Sequence, residues 1–155
     1  MEVIILRGIP GCGKSAYAGM LKGATAPSHR YAVFSADNFF IVAGKYRFDP
    51  SKLPEAHAEC LRLFVEYCFR HFGWEEGTVV VDNTNITAAE VAPYYAIATA
   101  YEHKVRVVNV NPHVSPDIAH KRNVHGVPST TCDRMRAAMM SERFPPWWNI
   151  SDVVT

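Results

Sequence analysis

Val3-Ile4-Ile5-Leu6-Arg7-Gly8-Ile9-Pro10-Gly11-Cys12-Gly13-Lys14-Ser15 is the stretch on which the reading of this chain turns. Four aliphatic residues in a row, ended by a glycine loop, are the pattern of a strand buried on both faces of a parallel sheet. Gly8 to Ser15 fits G-x-x-x-x-G-K-[ST] in full. In such a loop the glycines let consecutive backbone N–H groups turn inward around phosphate oxygens, and the following helix adds its positive N-terminal end. The spacing assigns Gly11, Cys12 and Gly13 to the cradle, Lys14 to the β and γ phosphates of ATP, and Ser15 to Mg2+. The alternative is a plain glycine-rich turn, which gives no reason for Gly-Lys-Ser at that place. The local positive field favours a thiolate at Cys12, but the loop needs only its backbone N–H.

Outward from this loop, Lys14 to Lys22 reads as a helix, because Ala16, Tyr17, Met20 and Leu21 recur at helical spacing and Gly23 stands at its stop. Tyr31 to Ser35 is a second strand. Asp37 to Pro50 shows no sustained period and reads as a shaped loop or short helix lining a site. Leu53 to Phe72 is a long helix, apolar at Ala56, Cys60, Leu61, Phe64, Val65, Cys68, Phe69 and Phe72. Thr78 to Val81 is a strand, Thr87 to Tyr101 a helix and Val105 to Val110 a strand. Alternation of this kind predicts an α/β fold, a parallel sheet with helices on both faces. Pro116 to Lys121 and Thr130 to Ser141 are two further helices separated by the turn-rich Asn123 to Pro128, and a short helical lid is expected over about residues 115–130. Phe144-Pro145-Pro146-Trp147-Trp148 cannot continue a helix past its prolines.

The 155 residues are enough for one domain, and nothing divides them into two. Sixteen Lys and Arg against fifteen Asp and Glu give a formal charge of +1, so no global field draws the chain to nucleic acid, and any such binding rests on a local patch. Cys12, Cys60, Cys68 and Cys132 have neither zinc-site spacing nor the density of a disulfide scaffold. They are expected to be reduced thiols of a cytoplasmic protein. No stretch approaches the roughly 20 apolar residues that span a bilayer.

Asp82 ends the run Thr78-Val79-Val80-Val81 and so stands at the carboxyl edge of the expected sheet, where it can hold Mg2+. The alternative is a cap on the following turn. Asn83, Thr84 and Asn85 add hydrogen-bonding groups for a substrate at the same edge, although Thr84 also suits an N-cap. Asp37 follows the second strand, where a carboxylate can take the proton of an attacking hydroxyl; its alternative is an Asx turn with Asn38. Lys121 and Arg122 could bring positive charge over the transferring phosphoryl group from a mobile lid, or be a solvated face. His57 is a candidate substrate contact, with helix packing as the alternative.

At these residues the sequence resembles the P-loop kinases that include the kinase half of bacteriophage polynucleotide kinase. It resembles still more the small ATP-binding proteins of the class named for binding a Nedd-type ubiquitin ligase, an AAA-type P-loop domain. The similarity runs through Leu6 to Ser15, Ser35 to Phe40, Tyr46 to Pro50, Glu55-Ala56-His57, Val81 to Asn85, and Lys121 through Pro128 to Met135. The resemblance implies a phosphotransferase with Lys14 and Ser15 on nucleotide and magnesium, Asp37 as general base, Asp82 near metal or acceptor, and Arg122 as a lid arginine on the phosphates. Polynucleotide kinases of this kind carry an arginine three residues beyond the base, holding the acceptor's phosphate, and this sequence has Phe40 there. Some phage relatives phosphorylate a hydroxymethylated base within DNA, and Phe39, Phe40, Tyr46 and Phe48 would suit a base. The expected function is transfer of the γ-phosphate to a hydroxyl, on a nucleic acid first, on a small nucleoside-like or sugar-like metabolite second. An ATP-hydrolysing switch or partner-binding module is the third reading.

Overall fold

A computed structural model describes residues 1–73, 76–123 and 126–155. Its elements run β1 (Glu2–Arg7), α1 (Lys14–Gly23), β2 (Tyr31–Phe34), β3 (Ile41–Val42), β4 (Lys45–Tyr46), α2 (Leu53–Arg70), β5 (Thr78–Asp82), α3 (Ala88–Ala100), β6 (Lys104–Val110), α4 (Pro116–Arg122), α5 (Ser129–Ser141) and β7 (Ile150–Val153), with 3-10 turns at Ala36–Phe40 and Pro50–Lys52. Five strands form one sheet in the order β2-β5-β1-β6-β7, every neighbouring pair parallel.

Successive side chains of a strand face opposite ways, so the unbroken apolar run of β1 demands cover on both sides. On one face Val3, Ile5, Val79, Val81 and Val107 pack against Ala56, Cys60, Phe64 and Cys68 of α2 and Val91, Tyr94 and Ala98 of α3. On the other, Ile4, Leu6, Val80, Val108 and Val110 meet Ala18 of α1, Ala119 of α4 and Met139 of α5. Truncating a residue as buried as Phe64 to Ala would cost about 3–5 kcal/mol.

The helices start where local chemistry permits. Thr87 caps α3 by accepting from the Glu90 N–H, and Glu90 returns the bond to the Thr87 N–H, which satisfies donors that a helix N-terminus otherwise leaves open. On α2 the buried residues Ala56, Cys60, Phe64 and Cys68 recur every four positions. Phe69 and Phe72, expected on that apolar face, are exposed instead and meet Tyr101 edge-on.

Two further features depart from the sequence reading. The segment expected as loop or short helix contains the 3-10 turn and an antiparallel hairpin, Ile41 pairing with Tyr46 and Val42 with Lys45. The chain after the prolines returns as β7, adding an edge strand beside β6. Of the expected linker Asn123 to Pro128, Val124 and His125 lie outside the described residues.

Candidate active site

Gly11 and Gly13 adopt the left-handed backbone, φ 78° and 106°, that residues with a Cβ enter only at a cost. A Cβ on Gly11 would also lie 1.9 Å from the Ala119 carbonyl oxygen, so the middle of α4 rests directly on the loop. Gly13 is the N-cap of α1. The Cys12 side chain is buried, and burial pushes its thiol up against the opposing pull of Lys14. The Lys14 ammonium curls over the loop, donating to the Gly8 and Ile9 carbonyls at 2.9 and 3.1 Å.

Leu6 of β1 pairs with Asp82 of β5, which brings the strand-end carboxylate beside the loop. The Ser15 hydroxyl donates to Asp82 Oδ2 at 2.7 Å, and the Gly8 N–H donates to the Thr84 carbonyl at 2.9 Å. A hydroxyl and a carboxylate side by side are the hard oxygen donors Mg2+ prefers. Among the described residues no cluster of three or more His, Cys, Asp or Glu could hold a metal.

One strand further out, Phe34 of β2 pairs with Val81, and Asp37 follows three residues on. Ser35 makes the turn: its hydroxyl oxygen accepts from the Asp37 N–H and its carbonyl from the Asn38 N–H. The Asp37 carboxylate accepts a 2.9 Å bond from the Tyr46 hydroxyl. Burial raises the pKa of that hydroxyl, and the bond to Asp37 raises it further, so Tyr46 remains a donor.

His57 and Thr84 line one cleft of about 290 Å³ between α2 and the start of α3, with Leu61, Asn85, Glu90 and Tyr94. Asn83 and Asn85 are buried and their side chains point inward. Asn83 accepts from the Ala36 N–H at 2.8 Å and faces Tyr94 and Cys60, while Asn85, at φ 46°, donates to the Leu6 carbonyl at 2.7 Å. They brace the sheet edge. Phe40 is 3% exposed, its ring edge-on to Phe39, Tyr46 and Phe48. Arg122 is exposed at the end of α4, three residues past the Ala119 that touches the loop.

Two contributors escaped the sequence reading. Asn111, buried and at φ 44°, donates to the Cys12 carbonyl at 2.7 Å and steadies the loop from the end of β6; a lone asparagine after a strand gives no signal of this. The Tyr46–Asp37 bond depends on a hairpin whose Ala43-Gly44 turn is a weaker signal than Asn-Gly.

Residues 3–144 match the family model described as an AAA domain. NEDD4-binding protein 2 of Homo sapiens is 34% identical over 139 residues, covering 87% of this chain and only 7% of that protein's length. Among solved structures, a chain of the Pnkp1/Rnl/Hen1 RNA repair complex superposes with a TM-score of 0.68 at 12% identity, over 90% of this chain and 44% of that one. A gluconokinase from Sinorhizobium meliloti 1021 does so at 0.60 and 16%, over 99% and 82%. Identities this low show the fold alone. With its glycine loop, strand-end aspartate and parallel sheet flanked by helices, the chain has the P-loop kinase-like fold and belongs to the AAA domain family.

Proposed function

We propose that this chain is a Mg2+- and ATP-dependent kinase that transfers the γ-phosphate to a hydroxyl on a nucleic acid, either a 5'-hydroxyl end or a hydroxymethylated base. The observation that carries the reading is the pair of carboxylates at the ends of adjacent strands, Asp82 closing β5 and Asp37 in the turn that follows β2. Asp82 is bonded to the loop serine, and Asp37, one strand away, is held by a tyrosine outside the loop. A switch that only hydrolyses ATP needs the first and a positioned water, whereas transfer to a hydroxyl also uses a base beside the acceptor.

In this reading the acceptor oxygen attacks the γ-phosphorus, its proton passes to Asp37, the bond to the β–γ bridging oxygen breaks, and ADP leaves. Lys14 and Arg122 offset the charge that develops on the phosphoryl oxygens. Ser15 and Asp82 would hold Mg2+, which supplies further charge neutralisation at the phosphates. Gly11, Cys12 and Gly13 bind through their backbone N–H groups. His57 and Thr84 face the acceptor, while Phe40, Asn83 and Asn85 support it from behind. The likeness to a chain of an RNA repair complex favours a nucleic acid over a sugar. Four buried, unpaired cysteines fit a reducing, cytoplasmic setting.

Incubation with γ-labelled ATP and a panel of DNA, RNA, nucleosides and sugars tests this. Label on a polynucleotide end or base is expected. Label on a small nucleoside or sugar alone would move the assignment to a metabolite kinase, and free phosphate alone would leave the switch.

A further inference from the structure

The hairpin that follows Asp37 carries Tyr46 and is bracketed by two further aromatic residues, Phe40 before it and Phe48 after it. Phe40 is buried, its carbonyl accepts from the Arg47 N–H at 2.8 Å, and its ring meets Tyr46 and Phe48 edge-on. Tyr46 and Phe48 lie with their rings 8° from parallel and 6.4 Å apart, and they are 39% and 43% exposed. Isolated exposed aromatics are ordinary on a protein surface. Two parallel rings fixed by a buried third, one of them bonded to the carboxylate at the sheet edge, are a built surface. Exposed Lys45 and Arg47 flank Tyr46 on the same hairpin, cations suited to a phosphate backbone.

We infer that Tyr46 couples acceptor recognition to proton removal: its hydroxyl orients the Asp37 carboxylate, and its ring, with that of Phe48, is the ledge on which the acceptor's nucleobase stacks. This rests on Asp37 being the base of the proposed kinase. Tyr46 is then a positioning residue for Asp37 and a contact for the acceptor, and these two roles separate by substitution. Tyr46→Phe removes only the oxygen, Tyr46→Leu removes both the oxygen and the aromatic face, and Phe48→Leu removes a face while leaving the bond to Asp37. Every base has a face to stack, so the ledge tolerates sequence but requires a base.

The probes are a single-stranded DNA hexamer with a 5'-hydroxyl thymidine and the same hexamer with an abasic first residue. Binding of each is measured with a non-hydrolysable ATP analogue present, and kcat and KM for transfer are measured with ATP. The wild-type chain should favour the thymidine-ended probe about 10-fold or more, within the range of one base–aromatic stack, and Tyr46→Leu and Phe48→Leu should abolish that preference. Tyr46→Phe should keep the preference and the acceptor KM while kcat falls about 10-fold. ATP-analogue affinity should be the same in all of them. Equal binding of the two probes, no binding of either, a preference that survives Phe48→Leu, or an unchanged kcat in Tyr46→Phe overturns the inference. Asp37→Asn is the control for the reading beneath it. If that variant transfers at the wild-type rate, Asp37 is not the base and the coupling falls with it, while the thymidine preference in binding still reports the ledge separately.

Discussion

The Ser15 hydroxyl and the Asp82 carboxylate meet at 2.7 Å, joining the first turn of α1 to the carboxyl end of the strand beside it. Both groups come from segments whose positions are fixed by the sheet, through the pairing of Leu6 with Asp82. An ion placed there would be held by oxygens that need little rearrangement. Asp82→Asn keeps size and hydrogen bonding but removes the charge. ATP-analogue affinity in Mg2+ should therefore fall about 10-fold or more, with affinity in EDTA unchanged. Titrations under the two conditions check this, and an equal loss in both would make Asp82 a structural residue.

Two glycines separate space from propensity. Gly11→Ala forces a Cβ to within 1.9 Å of the Ala119 oxygen and 2.8 Å of its carbonyl carbon, at a φ of 78°. Backbone cannot give way as a flexible side chain does, so α4 must move, at a cost of about 2–3 kcal/mol. Gly19 in α1 has nothing within 4 Å of its Cβ position, and Gly19→Ala should stabilise by about 1 kcal/mol. Urea denaturation of both variants measures the contrast. Equal stabilities would show that α4 does not rest on the loop.

What the sequence revealed follows from what is local. The apolar run of β1, the loop and the carboxylate after Val81 each announce themselves within a few residues, and the structure brings them together. The order β2-β5-β1-β6-β7 does not follow from any one segment. Ile150-Ser151-Asp152-Val153 carries too few apolar residues to declare a strand, and becomes one because β6 offers an unpaired edge. Asn83 and Asn85 read as hydrogen-bonding groups for a substrate because their partners, the Ala36 N–H and the Leu6 carbonyl, come from distant segments. Phe40, read as a substrate contact, is buried because the hairpin folds Tyr46 and Phe48 over it.

His103 sets a pH dependence of stability. It is 7% exposed, and its Nε2 has no hydrogen-bond partner among the described residues. Burial pushes its pKa down, the N-terminal ammonium and His71 act in the same direction, and a hydrogen bond with the Cys68 backbone opposes them. The unfolded chain takes up a proton near pH 6.5, while the folded chain resists it. As pH falls below about 6.5 the unfolded state thus binds more protons and stability declines. Urea midpoints followed from pH 7 towards pH 5 should drop less steeply for His103→Gln than for the wild-type chain. Parallel slopes would assign the acid sensitivity to other groups.

Arg122 carries the sharpest prediction, because its surroundings separate catalysis from folding. The side chain is exposed, so its removal should leave the melting temperature unchanged. Yet Ala119, one turn earlier, lies against Gly11, and positions three apart share a helix flank. The ordinary explanation for His120, Lys121 and Arg122 is that cations favour a helix C-terminus, and any of the three would serve that purpose equally. A cation aimed at charge that develops during transfer acts mainly in the transition state. Arg122→Ala should therefore lower kcat about 10²-fold or more, leave ATP-analogue affinity within about 3-fold, and recover part of the loss as Arg122→Lys. Lys121→Ala, measured in parallel, should lose far less. If the two variants lose equally, or if affinity and kcat fall together, the cations act on ground-state binding through their summed field and Arg122 has no special place over the phosphates.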